Sequence, residues 1–326
     1  MNVRRSSICI AAAFAATLCW GAGMTLTKLA LGYFTPSVLL VVQLLASILF
    51  LALLLPVLRI RIASWPRLLR VSGLGLLEPG LAYFLGLEGL QRIGAAEAVV
   101  LSSTESILVI LLAWLLAIER PRGIVLGLAV LGAIGATLVA GSHLEQLGGS
   151  LSLWGDLLLL GGVLSAAGYV VLSARVASST EPLPSLLGQQ GVAVLFAIAM
   201  HLVISGHWPA VSSVPANGWL LAAASGIVQY ACAFWLYLWA LKGLRAGEAG
   251  LYLSLIPVFG LLIAIPVFRE RLSALQWTGA LLIIGTIFVL TRVHDEHAGH
   301  VAAGADDEPA PAGNASPLRV GSAAVG

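Results

Sequence analysis

The sequence predicts an all-α membrane protein, with ten transmembrane helices arranged as two inverted five-helix repeats. Three observations carry this expectation. Charged residues make up only 10% of the 326 positions and hydrophobic residues 59%, whereas a soluble globular chain is about a quarter charged. Apolar runs of about 20 residues, the length that crosses a hydrocarbon layer as a helix, recur along the chain. The second half also repeats the first at a nearly constant spacing. Alternating β-barrel patterning is absent, and several runs are too long for barrel strands.

The spans are expected at 8–30, 36–58, 68–90, 95–118, 123–141, 152–173, 184–205, 218–241, 247–268 and 273–291. Residues 1–7 form a cytoplasmic N-terminus, 8–141 the first repeat, 142–151 an external linker and 152–291 the second repeat. Arg4 and Arg5 precede the first span as they would in a secretory signal. That run is long, however, and ends at Lys28 rather than at a small-residue cleavage site. Thr35-Pro36 opens the second span and Ser64-Trp65-Pro66 precedes the third. Pro79 lies inside the third span and is expected to kink it, because proline removes a backbone donor and frees a carbonyl one turn back. The fourth span ends at Glu119-Arg120-Pro121, and Asp156 opens the sixth. Glu181-Pro182-Leu183-Pro184 separates the sixth from the seventh. The eighth is aromatic, and Pro257 lies in the ninth. Residues 292–326, rich in Ala, Gly, Pro and acid, cannot bury enough apolar surface to order themselves and are expected to form a disordered cytoplasmic tail.

Lysine and arginine set the orientation. With the N-terminus inside, twelve basic residues fall on inner segments: Arg4, Arg5, Arg59, Arg61, Arg67, Arg70, Arg120, Arg122, Arg175, Lys242, Arg245 and Arg292. Four fall outside: Lys28, Arg92, Arg269 and Arg271. Both termini are therefore expected in the cytoplasm, with the chain in a bacterial inner (plasma) membrane. A net charge of +2 gives no basic face for nucleic acid. Cys9, Cys19 and Cys232 have neither disulfide nor metal spacing. No cofactor is expected.

Residues 82–120 match 233–271 at an offset of 151: Tyr83 against Phe234, Ala95-Ala96-Glu97-Ala98 against Ala246-Gly247-Glu248-Ala249, and Glu119-Arg120 against Glu270-Arg271. Gly21 to Lys28 match Gly168 to Arg175 at an offset of 147. Five helices per repeat is an odd number, so the second copy enters the membrane inverted, a pattern found in secondary transporters. Inversion also accounts for Glu270-Arg271 lying outside, since its twin Glu119-Arg120 lies inside.

On these residues the chain resembles the drug/metabolite transporter superfamily, in particular its EamA-type ten-helix members. The matching pieces are Trp20-Gly21 with Lys28, Pro36, Glu119-Arg120, Gly155-Asp156, Pro257 and Glu270-Arg271. The resemblance covers residues 8–291. It departs at Gln43, where the family carries an arginine, and at Ser106, where a proline often stands. The resemblance implies export or exchange of amino acids, small metabolites or drugs.

A charge at the bilayer centre costs about 2.5–3.5 kcal/mol on insertion scales, so each one needs an account. Glu78 and Glu105 lie about ten residues into the third and fourth spans, and their repeat counterparts are the uncharged Gln229 and Ile256. They are expected to form a proton-coupling or cation-binding site. The competing reading makes them protonated packing residues bonded to a hydroxyl such as Ser102 or Thr104. Trp20, Tyr83, Tyr230, Phe234, Trp235 and Tyr252 are the candidate cavity lining, weighed against plain helix packing. Lys28 and Arg175, repeat partners at helix ends, either snorkel to the interface or attract a substrate carboxylate near a gate. Glu88 and Arg92, four apart, are expected to pair. Glu97 and Glu248 are expected in first helical turns, where the dipole favours negative charge. Glu119 and Glu270 are expected to fix short turns with neighbouring arginines. His294, His297 and His300 are weak metal candidates in the tail.

The expectation is a secondary transporter working by alternating access, its partners being a small-molecule substrate, the bilayer and protons, with a homodimer as a further partner. No Gly-x-x-x-x-Gly-Lys-Ser/Thr loop exists to bind a nucleotide. An intramembrane enzyme is not expected, since His and Cys show no ligand or nucleophile–base spacing. A membrane scaffold or sensor signalling through its tail is the alternative.

Overall fold

The computed structural model describes residues 3–60, 64–90, 92–93, 101–120, 122–139, 153–204, 206–268 and 273–306. Among them the chain is helical throughout. Eight helices are long and apolar enough to cross a membrane, and two further apolar helices, Glu105–Leu115 and Gly123–Val139, are shorter. The expected external linker 142–151 lies outside the described residues, and Glu97 and Glu270 lie outside them as well.

The first two spans are continuous: α1 (Val3–Ala30) and α2 (Pro36–Val57), the latter started by a proline whose missing N–H costs nothing at that position. The third span is broken. It comprises α3 (Trp65–Ser72), a kinked segment (Leu76–Leu81) and α4 (Ala82–Leu90). The expected kink falls at Glu78, whose backbone (φ −149, ψ 131) leaves the helical region. Pro79 has no N–H with which to continue the helical ladder there.

Next come α5 (Glu105–Leu115) and α6 (Gly123–Val139). The second half holds α7 (Leu153–Val176), a 3₁₀ turn (Ala177–Ser179) and α8 (Pro182–Ile204). Its third member is again interrupted: α9 (Ala216–Gly226), a π segment (Ile227–Cys232) and α10 (Ala233–Ala240). The ninth span is also divided, into α11 (Ala246–Tyr252), a 3₁₀ turn (Leu253–Leu255) and α12 (Ile256–Phe268). The last helix, α13, runs from Ala274 to Asp306. It continues about four turns past the expected boundary at 291, through an alanine-bearing stretch without proline, since alanine favours helix. The side chains of His294, His297 and His300 lie outside the described residues.

Helix pairing obeys the repeat. α4 packs on α7, and its counterpart α10 packs on α1. α3 packs on α8, and its counterpart α9 packs on α2. α5 packs on α7, and its counterpart α12 packs on α1. The pairs α2–α8 and α6–α13 are their own counterparts under the exchange, and α5 also packs on α11. This is the pairing a pseudo-two-fold axis produces, and it interleaves the two halves. Paired glycines make the approach close. A Cβ on Gly75 would stand 1.8 Å from the Gln189 carbonyl oxygen, and one on its twin Gly226 would stand 2.4 Å from the Gln43 carbonyl oxygen.

Candidate functional site

The two interrupted spans place the polar groups. Glu78 sits at the break in the third span, with its backbone non-helical. Glu105 begins α5 just after Thr104, as Ile256, 151 positions on, begins α12 after a 3₁₀ turn. The first-turn N–H groups of a helix have no intrahelical acceptors, and the dipole there favours a carboxylate. Glu105 stands in that first turn. The Thr104 hydroxyl donates to the Leu101 carbonyl at 2.6 Å, so its hydrogen is used within the chain rather than on Glu105. Glu78 and Glu105 are both half-buried although they fall mid-span, and they lie within electrostatic reach of one another.

Around them stands an aromatic cluster drawn from both halves. Trp20 meets Phe234 and Tyr237 edge-on, with centroids 5.1 and 5.2 Å apart. Tyr83 meets Tyr230 at 5.1 Å, Tyr230 stacks on Phe234 at 6.3 Å, and Tyr169 meets Phe234 at 5.8 Å. Edge-to-face and offset contacts in this range add about 0.5–1.5 kcal/mol each beyond burial. The Tyr83 hydroxyl lies against the side chains of Gln229 and Trp20 and within electrostatic reach of both glutamates, as does Tyr237. The Tyr237 hydroxyl is buried with no hydrogen-bond partner. A buried polar atom left in this way calls for an explanation such as a bound ligand or ordered water.

The structure thus brings together Glu78, Glu105, Trp20, Tyr83, Tyr230 and Phe234. Tyr252 is buried at the end of α11, its ring 5.4 Å from Phe14 of α1, the helix that also carries Trp20. Trp235, one residue past Phe234 and so about 100° round the helix, is half-buried at the edge of the core. Lys28 and Arg175 lie in the last turns of α1 and α7, and both are exposed.

Beside the cluster runs a glutamine network that joins Gln43 and Gln229, which the sequence marks only as a departure and a repeat counterpart, through Thr27. The Gln43 amide donates to Thr27 and Ser225, each at 2.8 Å, and Thr27 donates to Gln229 at 2.7 Å. In the other half Tyr169 donates to Gln189 at 3.1 Å, and Gln190 donates to the Tyr230 carbonyl at 2.7 Å. Gln43 and Gln189 are twins, each seven residues past the proline that opens its helix, and that shared register was the available signal.

One expectation is corrected. Glu119 does not fix its own turn with a neighbouring arginine. It reaches the other half and caps α11, accepting the Ala246 N–H at 2.6 Å and the Gly247 N–H at 3.4 Å. It also pairs with Arg245 at 3.6 Å, while Arg122 pairs with Glu248 at 3.2 Å. The orphan N–H groups at the start of α11 attract the carboxylate more strongly than an exposed arginine beside it. Glu248 falls in the first turn of α11, as expected, and Arg92 pairs with Glu88 at 2.8 Å.

A family-wide sequence comparison matches residues 7–141 and 153–292, one copy per half, to the EamA-like transporter family. The chain belongs to this family. The two matches reproduce the repeats seen in the helix pairing, and with the apolar helices they make the chain an integral membrane protein of the drug/metabolite transporter superfamily. No curated protein matches it. Among solved structures, one crystal structure aligns with a TM-score of 0.73 at 22% identity, covering 88% of this chain and 99% of that one. That likeness concerns the fold alone.

Proposed function

We propose that this EamA-like protein is a secondary active transporter, an exporter or exchanger of amino acids or related small metabolites and drugs. It works by alternating access around the Glu78–Glu105 site. In this reading ten spans cross a bacterial inner membrane, five per inverted repeat, and both termini are cytoplasmic. The observation that carries the reading is the placement of two mid-span carboxylates at helix breaks inside an aromatic cluster built from both halves. Discontinuous helices meeting at the repeat interface are where secondary transporters hold substrate and coupling ion. The aromatic faces suit an apolar or aromatic body, or a cation over a ring. The carboxylates hold a proton or a cationic group, and either relieves their mutual repulsion. Exchanging proton for substrate on this pair couples the two fluxes. Lys28 and Arg175 act as interface anchors.

The test is flux in proteoliposomes with an imposed pH gradient, over a panel of amino acids, amines and drugs, for the wild type and for Glu78→Gln and Glu105→Gln. The wild type is expected to move at least one solute class in a gradient-dependent way, and both variants to lose that dependence. Unchanged flux and pH dependence in both variants would refute the assignment of the carboxylates. Absence of flux across the whole panel would count against transport itself.

A further inference from the structure

The pseudo-two-fold axis gives every feature a twin, so a feature whose twin differs is informative. One such pair lies at opposite ends of α2 and α8. These helices run antiparallel: Ser37, at the start of α2, hydrogen-bonds with His201 near the end of α8 at 2.9 Å. At the start of α8, a wedge between α3 and the α7–α8 turn is hollow. The space is about 170 Å³, with Ser64, Arg67, Val71, Thr180 and Ser185 among its walls. Inward of it the packing tightens: between Val71, Thr180 and Ser185 and the deeper Ser173, Gln189 and Leu238 only about 10 Å³ is free. Gln189 accepts the Tyr169 hydroxyl, and the Tyr169 ring meets Phe234 of the central cluster. The wedge therefore points at the site, and Gln189 and Tyr169 stand between the two.

The twin wedge, at the start of α2, is filled. Phe34, Val38, Leu39, Val214 and Ala222 are buried there as a separate apolar cluster. The Phe34 ring meets Trp219 edge-on at 5.0 Å, and a Cβ on Gly218 would stand 2.9 Å from the Tyr33 ring. Counting from the helix-opening prolines and the α3/α9 starts, Phe34 and Leu39 stand where the hollow wedge has Thr180 and Ser185, and Trp219 where it has Leu68. The difference is thus written in the side chains. Small hydroxyl-bearing side chains leave one wedge open, while large apolar rings close the other.

We propose that the hollow wedge is the port through which a polar solute and its water pass between one side of the membrane and the central site. The Phe34–Trp219 pair is the seal of the opposite side. By the arrangement of basic residues the port faces the cytoplasm. Its mouth offers Arg67, which donates to the Ser179 carbonyl at 3.1 Å, and Glu181, which pairs with Lys242 at 3.5 Å. Both signs of charge and several hydroxyls therefore meet the entering solute. That the port serves transport rests on the function proposed above; its openness does not.

The test uses the full chain in sealed membrane vesicles of each orientation, with one twin position at a time made cysteine: Ser185→Cys or Leu39→Cys. A membrane-impermeant thiol reagent is added, and mass spectrometry locates the modified residue, so the native cysteines can stay. Thiol reactivity at matched backbone positions follows access, and Ser185→Cys is expected to react roughly tenfold faster from the cytoplasmic face than Leu39→Cys does from either face. Equal rates, or faster reaction at position 39, would overturn the proposal. A second variant, Ser185→Trp, fills the port as its twin is filled and is expected to lower flux by roughly tenfold. Flux equal to wild type in that variant also overturns it. If the wild type moves nothing at all, the transport reading fails, while the labelling asymmetry still decides whether the port is open.

Discussion

Replacing Gly75 or Gly226 by alanine tests whether the helix pairing is as tight as it looks. A Cβ at Gly75 would stand 1.8 Å from the carbonyl oxygen and 2.4 Å from the carbonyl carbon of Gln189; at Gly226 it would stand 2.4 Å from the oxygen of Gln43. Unstrained heavy-atom contacts lie near 3.5 Å. The third span must therefore move off α8 by roughly 1.5 Å, and α9 off α2 by roughly 1 Å. The opposing atoms are backbone, so no rotamer change gives way. Overpacking of this kind costs about 1–3 kcal/mol. Alanine returns up to about 1 kcal/mol of helix propensity. The net expectation is a loss of about 1–2 kcal/mol at each position, larger at Gly75. Controls are Gly127→Ala in α6 and Gly285→Ala in α13, where an added Cβ meets nothing within 4 Å. Only propensity acts there, and a gain of up to about 1 kcal/mol is expected. Unfolding in detergent micelles, thermal or by denaturant, measures all four. Gly75→Ala as stable as Gly127→Ala would refute the reasoning.

Three further outcomes follow from contacts between or within the halves. Glu119→Gln removes the charge that caps α11 and pairs with Arg245, and is expected to cost about 1 kcal/mol. Hydrogen exchange at residues 246–249 should quicken, and added salt should shrink the difference from wild type. Ser106 donates to the Gly250 carbonyl at 2.8 Å where α5 crosses α11, so Ser106→Ala is expected to cost about 0.6 kcal/mol, the average for such bonds in membranes. A denaturant midpoint identical to wild type would argue against that bond. Arg92→Ala is expected to change stability by less than about 0.5 kcal/mol, because its pair with Glu88 is exposed. A loss well above that would show a role the geometry does not contain.

The fold was largely legible because lipid imposes one rule on every span, and because Gly, Glu and Glu-Arg recur at one offset. The break at Glu78 was legible from the proline after it. Extension of α13 past Arg292 was not, since low hydropathy says where a membrane ends and not where a helix does. In the site, Glu78 and Glu105 stood out as charges in apolar runs, and Tyr230 and Phe234 as aromatic residues of the eighth span. Gln43 stood out only as a departure from the family's arginine, and Gln189 and Tyr169 not at all, because one buried amide or phenol in an apolar helix looks like any other until its partner across the interface is known. The reach of Glu119 into the other half was hidden for the same reason: sequence proximity favoured the arginines beside it, and only packing showed the nearer helix end.

Leu76–Leu81 and Ile227–Cys232 occupy matching places 151 positions apart but interrupt their spans differently. The second is a π turn, an α-helix holding one residue more than its length requires, so everything beyond it is rotated by about 100°. Phe234 comes soon after it, and its aim into the cluster depends on the added residue. Deleting one residue from Ile227–Cys232 would swing that ring about a quarter turn around its helix. The first is a bend at the extended Glu78, so Tyr83 owes its aim to the direction the chain takes there and not to an added residue.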